Sequence, residues 1–322
     1  MYQNNYEELK KLVEEDGVII PVARHRKPDG SMDRELNLNT WNDAVKRFEI
    51  MPLWPEGKTP NFDDRDPLQI EPSVIFVPAQ NTDNKKTGTI IVACGGGFST
   101  RTGCEGFNVA KKFADEGYNT AILTYRLQPY SRKDCMDDMQ RAIRLLRHKK
   151  EELNITDKVV CMGFSAGGML SGNCATHFDE GDKENEDLIE RESCRPDGAV
   201  IGYGAFAFAG LPGGFFVDPF ADQIRNPFFA NKEELIYFSP EVNITRDTPP
   251  MFIWQTNSDD PRNSFTLGQA LTAMGIPFEM HLFAQGVHGL ALADGHNDLG
   301  MDIPSVAIWT DICKIWLDRI FA

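Results

Sequence analysis

No run of about 18 consecutive apolar residues occurs in the chain, so no membrane-spanning helix is expected. Residues 1–17 are polar and acidic, without an apolar core and small-residue cleavage site, and do not read as a signal peptide. No CxxC pair is present. The seven cysteines (Cys94, Cys104, Cys135, Cys161, Cys174, Cys194 and Cys313) are odd in number and scattered. That argues against a disulfide framework or a zinc knuckle. They are expected to be reduced, mostly small core residues of a cytoplasmic protein. Long basic stretches are missing too: 33 Lys and Arg face 48 Asp and Glu, a net charge of −15. Such a chain repels nucleic acid and anionic membranes unless it has a local basic patch. The densest basic stretch, residues 141–150, reads as a helix with a solvated basic face. Neither nucleic acid nor a membrane is therefore expected as a partner. GxGxxG and a P-loop are absent, and no internal repeat is visible.

What is present is an alternation. Short apolar, β-branched runs at 73–77, 89–93, 120–124, 158–162, 199–202, 251–255 and 278–283 suit strands buried on both faces. Helical patterns occupy 107–116, 134–153, 166–177, 264–274 and 305–320. Strands alternating with helices predict an α/β fold, a mostly parallel central sheet with helices on both faces. Residues 1–50 form an N-terminal arm or extension, with short helices at 6–15 and 40–48, ahead of a single catalytic domain at 51–322. The stretch 206–249 breaks the alternation and is rich in Phe, Gly and Pro. It reads equally as a cap over a site and as core or subunit packing, and a homo-oligomer is compatible with it.

The most informative segment is KVVCMGFSAGG at 158–168. Its GxSxG, centred on Ser165, follows an apolar strand and opens a small-residue helix. That is the setting of a nucleophile elbow, where a strained turn exposes the serine oxygen at a helix N-terminus. A second segment, TIIVACGGGF at 89–98, ends a buried strand in three glycines. Backbone N–H groups of Gly96 or Gly97, with that of Ala166, are the expected oxyanion donors. Cys94 has no histidine neighbour and is not read as a nucleophile. Glu105, placed to orient a substrate or a loop, and Phe98 and Phe164, flanking the two motifs, are candidate substrate contacts.

A serine needs a base, and the base an orienting carboxylate, in the chain order Ser, acid, His. His288, in AQGVHGLAL after a predicted strand, is the expected base. His296 is the runner-up, and His281 falls inside the strand itself. The acid belongs at the end of MFIWQT, where both Asp259 and Asp260 stand; Asp259 has the better loop position and Asp260 is the alternative.

These residues resemble the α/β-hydrolase superfamily, and within it the esterase/lipase-like carbohydrate esterases related to bacterial feruloyl and acetyl-xylan esterases. The resemblance rests on MPLWP at 51–55, CGGGF at 94–98, Glu105–Gly106, GYN at 117–119, Tyr125–Arg126, GFSAGG at 163–168, SPE at 239–241, DTPP at 247–250, Trp254 and His288–Gly289. It runs from about residue 51 to the end. It implies a Ser165–His288–Asp259 triad that cleaves short acyl, plausibly acetyl, esters of carbohydrates without metal or organic cofactor. Three positions depart from the pattern: Cys94 stands for a proline, Gln255 for a histidine, and the run after the acid is shortened to DPRN. A lipase or peptidase on the same scaffold, or a non-catalytic binding protein, are the rival readings.

Overall fold

The computed structural model describes residues 2–15, 27–31, 33–82, 85–204 and 231–322. One eight-stranded sheet organises them, in the order β1-β2-β4-β3-β5-β6-β7-β8. The strands are β1 (Met51–Pro52), β2 (Ser73–Val77), β3 (Thr89–Ala93), β4 (Asn119–Thr124), β5 (Val159–Phe164), β6 (Gly198–Gly202), β7 (Met251–Thr256) and β8 (Phe278–Phe283). β2 runs antiparallel to β1 and β4, and every other pairing is parallel. This is the mostly parallel central sheet expected from the alternating pattern. Only β1 was not foreseen; two residues are too few to leave a periodicity.

Successive strand residues feed opposite cores, as the two-residue period of a strand requires. Val74, Phe76, Ile91 and Ala93 face one side, where the helices Arg132–His148, Ala166–Thr176 and Arg262–Met274 pack. Ile75, Val77, Ile90 and Val92 face the other, beneath Val109–Asp115 and Trp309–Phe321. The N-terminal residues join the same cores: Leu9, Leu12 and Trp41 lie in the second and Leu38 in the first. The helix around Trp41 runs Arg34–Val45, starting six residues before the expected 40, because Asp33 caps it by accepting from the Leu36 N–H.

The basic stretch at 141–150 is a helix, but its face is not solvated. Arg141 and Arg144 are nearly fully buried. Arg141 pairs with Asp187 and Glu190, Arg144 with Asp179 and Glu190, and Arg147 with Asp197. An acidic loop after the elbow helix neutralises them, a partner that local sequence does not reveal. Of the stretch 206–249, residues 206–230 lie outside the described residues. The remainder forms the helix Lys232–Tyr237 and a turn at Pro240–Val242, with Leu235 and Phe238 buried in the first core. All seven cysteines are free and buried. Among the described residues, no helix is long and apolar enough to cross a membrane.

Candidate active site

The carboxyl ends of β3, β5, β7 and β8 converge, the edge where open α/β sheets place their ligands. Ser165 follows β5 directly, at φ 52° and ψ −119°. A non-glycine residue in that region stores on the order of 1–3 kcal/mol of strain and persists only where its surroundings impose it. Here the turn is crowded from both sides. A Cβ on Gly163 would lie 2.0 Å from the Gly167 carbonyl oxygen, and one on Gly167 would lie 2.0 Å from that of Ala93. The helix Ala166–Thr176 is therefore pressed against β3 and β5, with its N-terminus at the serine.

Beside it, the glycine loop doubles back at Gly96 and Gly97, with φ of 123° and 61°. Gly95 fits because a Cβ would meet the Ser165 Cβ at 2.8 Å. Among the described residues, the N–H groups of Gly96, Gly97 and Ala166 have no acceptor. Gly96 and Gly97 are half-buried and Ala166 is buried, and Gly95, just before the pair, packs against Ser165.

His288 brings its Nε2 to 2.8 Å from Ser165 Oγ and its Nδ1 to 2.7 Å from Asp259 Oδ2. The three side chains form one hydrogen-bonded line. Asp260 points elsewhere: its carboxylate accepts from the Arg262 guanidinium at 2.7 and 2.6 Å, and that cation holds its pKa down. Burial lowers the His288 pKa, but the hydrogen bond and charge of Asp259, helped by Glu105, outweigh it and leave it raised. His296 sits near Asp294 on the surface, and His281 lies in β8 against Phe252. Cys94 is fully buried and its thiol is pushed up to about 12, which removes it as a nucleophile.

All three candidate substrate contacts are buried. Phe164 is completely buried, its ring among Tyr203, Trp254 and Trp309. It cannot touch a substrate, because the last strand residue before an elbow alternates into the core. Phe98 is also buried, with its ring against Tyr125 and the Arg132 guanidinium. Glu105 is 2% exposed. Its carboxylate accepts from the Gly95 N–H at 2.7 Å and from the Tyr203 hydroxyl at 2.7 Å, so it binds the loop and not a ligand. Tyr203 and Gln255 were missed as site-building residues. Gln255 donates to the carbonyls of Asp259 and Asp260 and accepts from Ser264. The departure from the expected histidine at 255 was the available signal for it; Tyr203 left none.

A family model described as BD-FAE matches residues 74–270. The chain belongs to the BD-FAE family. The match takes in the glycine loop, Ser165 and Asp259, and stops before His288. This BD-FAE member is 32% identical to an acetyl ester-xyloside bifunctional hydrolase of Caldicellulosiruptor lactoaceticus, over 84% of this chain and 96% of that one, with a TM-score of 0.73. It is 26% identical to a sugar hydrolase of Lactococcus lactis, over 77% and 94% of the two chains, with a TM-score of 0.60. A curated relative, endo-1,4-beta-xylanase B of Butyrivibrio fibrisolvens, is 34% identical over 264 residues, which are 78% of this chain. The chain spans only 39% of that relative's length. The fold and the family match place it among the α/β-hydrolases.

Proposed function

We propose that the chain is a serine esterase that removes short acyl groups, acetyl foremost, from carbohydrates. The observation that carries this is the line Asp259–His288–Ser165, at 2.7 and 2.8 Å, with the N–H groups of Gly96, Gly97 and Ala166 having no acceptor among the described residues. His288 takes the Ser165 proton as the oxygen attacks the ester carbonyl. Asp259 holds the proton-bearing Nδ1 and stabilises the imidazolium. The oxyanion of the tetrahedral intermediate is met by the three N–H groups and the helix N-terminus. His288 then protonates the leaving alcohol, and water repeats the sequence on the acyl-serine. Nucleophile, base and oxyanion donors all come from the chain, so the reaction asks for no metal or organic cofactor.

The acetyl and sugar preference is supported by the named relatives, and a net charge of −15 disfavours polyanionic substrates. The same charge supports a reading without nucleic-acid or membrane partners, and seven free buried thiols support a cytoplasmic setting. The test is acetate release from acetylated xylo-oligosaccharides, run against triglycerides and peptides. Preferential acetate release is the expected result. Faster cleavage of triglyceride or peptide would replace the substrate assignment and leave the serine chemistry standing.

A further inference from the structure

A buried carboxylate beside the catalytic line takes no part in it. Glu105 lies in the turn Cys104–Asn108, between the glycine loop and the helix Val109–Asp115. Both of its oxygens are occupied, and by parts of the site that are remote in sequence. One accepts from Gly95 N–H, at the start of the glycine loop. The other accepts from the Tyr203 hydroxyl, just past β6, and that same hydroxyl accepts from the Ala291 N–H at 2.9 Å. Ala291 stands three residues after His288, and the Tyr203 ring lies edge-on to the His288 ring at 5.0 Å. A continuous path therefore runs from the glycine loop through Glu105 and Tyr203 to the histidine loop.

We propose that Glu105 is a positioning residue that locks the oxyanion loop and the His288 loop into one geometry, and that it does so only as the carboxylate. The idea rests on the serine-esterase reading above. The chemistry of the two hydrogen bonds sets the protonation state. Gly95 N–H can only donate, and the Tyr203 hydroxyl accepts from Ala291 N–H and directs its proton at Glu105. Two donors converge on Glu105, which an ionised carboxylate accepts without conflict. A proton on Oε1 reverses or breaks the bond with the Tyr203 hydroxyl, and a proton on Oε2 breaks the bond with Gly95 N–H. Either change loosens the tie between the histidine loop and the glycine loop, whose peptide planes are otherwise held by the Tyr125 hydroxyl on the Cys94 carbonyl, by Thr102 N–H on that of Gly95, and by Ser99 and Thr100 on that of Gly96.

The surroundings make that proton accessible near neutral pH. Burial raises the Glu105 pKa, Asp298 adds to the rise, and the Tyr203 and Gly95 hydrogen bonds and the His288 charge oppose it, leaving about 7. Cys104 and Cys94 also face it; both thiols are pushed up by burial and stay neutral. On the acid side, activity then depends on two protons leaving: one from His288, so that it can act as base, and one from Glu105, so that the loops lock.

The experiment is the pH profile of kcat/KM on p-nitrophenyl acetate, with rates normalised to active sites titrated by a fluorophosphonate at Ser165. The wild-type acid limb should approach a slope of 2 in log units. Glu105→Gln keeps the shape and loses the charge. It should lower kcat about 10- to 100-fold, less than removal of an oxyanion donor outright, with KM little changed. Its limb should fall to a slope of 1 and shift to lower pH, since a charge that holds the proton on His288 is gone. Tyr203→Phe should move the limb the other way, because Glu105 loses a hydrogen bond that favours its ionised form. A merely structural role would reduce the titratable sites or the melting temperature and leave the normalised profile unchanged. A wild-type slope of 1, with normalised Glu105→Gln rates within twofold, overturns the positioning role alone. Failure of Ser165 to take the label overturns the esterase reading and this inference with it.

Discussion

The nucleophile half and the base half of the site are held by different physics. Around Ser165 the constraint is crowding of backbone on backbone. Added Cβ atoms at Gly163 and Gly167 would come within 2.0 Å of carbonyl oxygens. Around Asp259 and His288 the constraint is a set of side-chain hydrogen bonds. Gln255 grips the Asp259 and Asp260 carbonyls, Ser258 donates to the Gly286 carbonyl, and Arg262 occupies Asp260. The His288 side chain is 47% exposed, and a Cβ on Gly289 would meet nothing within 4 Å. Crowding admits one residue type and leaves a motif; a hydrogen-bonded loop can be built in many ways.

The largest contrast comes from glycine substitutions. Gly167→Ala should cost well over about 3 kcal/mol, since backbone cannot move aside as a side chain can. Little folded protein should accumulate, as judged by the soluble yield and circular dichroism. Next is the acid. Asp259→Asn should lower kcat by about 10⁴-fold with the fold intact, while Asp260→Asn should stay within a few-fold. The reverse order of losses would mean that the base half is assembled differently from the structure.

Gln255→Leu should cost roughly tenfold in kcat, because it loosens the Asp259 backbone without touching a reacting atom. Its pH profile should keep the wild-type midpoint. For its His288 part, the base must be neutral and its pKa is raised, so that contribution to the acid limb should lie above the ordinary histidine value. Loss of the Asp259 charge should move it down. Gly289→Ala should do least. At φ 86° it strains the backbone but strikes nothing, a cost of about 1–2 kcal/mol in melting experiments with near-normal kcat.

The same contrast explains what could be read before the structure. The strands were legible because β3 or β5, buried on both faces, leave an unbroken apolar run. The elbow was legible because Gly163 and Gly167 leave a spacing. Asp259 and Asp260 stayed ambiguous because both are turn-forming residues at one strand end; the His288 bond to Asp259 and the Arg262 bonds to Asp260 tell them apart. Arg141 and Arg144 were misread as solvated because their acidic partners lie some 35–49 residues further along the chain. Glu105 was left between orienting a substrate and orienting a loop, because nothing near it in sequence announces Tyr203, 98 residues away. Long-range polar pairing, not local pattern, was the missing information.

The central claim is that Ser165 is a nucleophile activated by His288. It is tested most directly by intact-mass and peptide-mass measurement after treatment with a fluorophosphonate. One adduct per chain is predicted, mapped to the peptide containing Ser165, absent in Ser165→Ala and strongly slowed in His288→Ala. A folded chain that takes no adduct, or takes it equally in Ser165→Ala, would contradict the account.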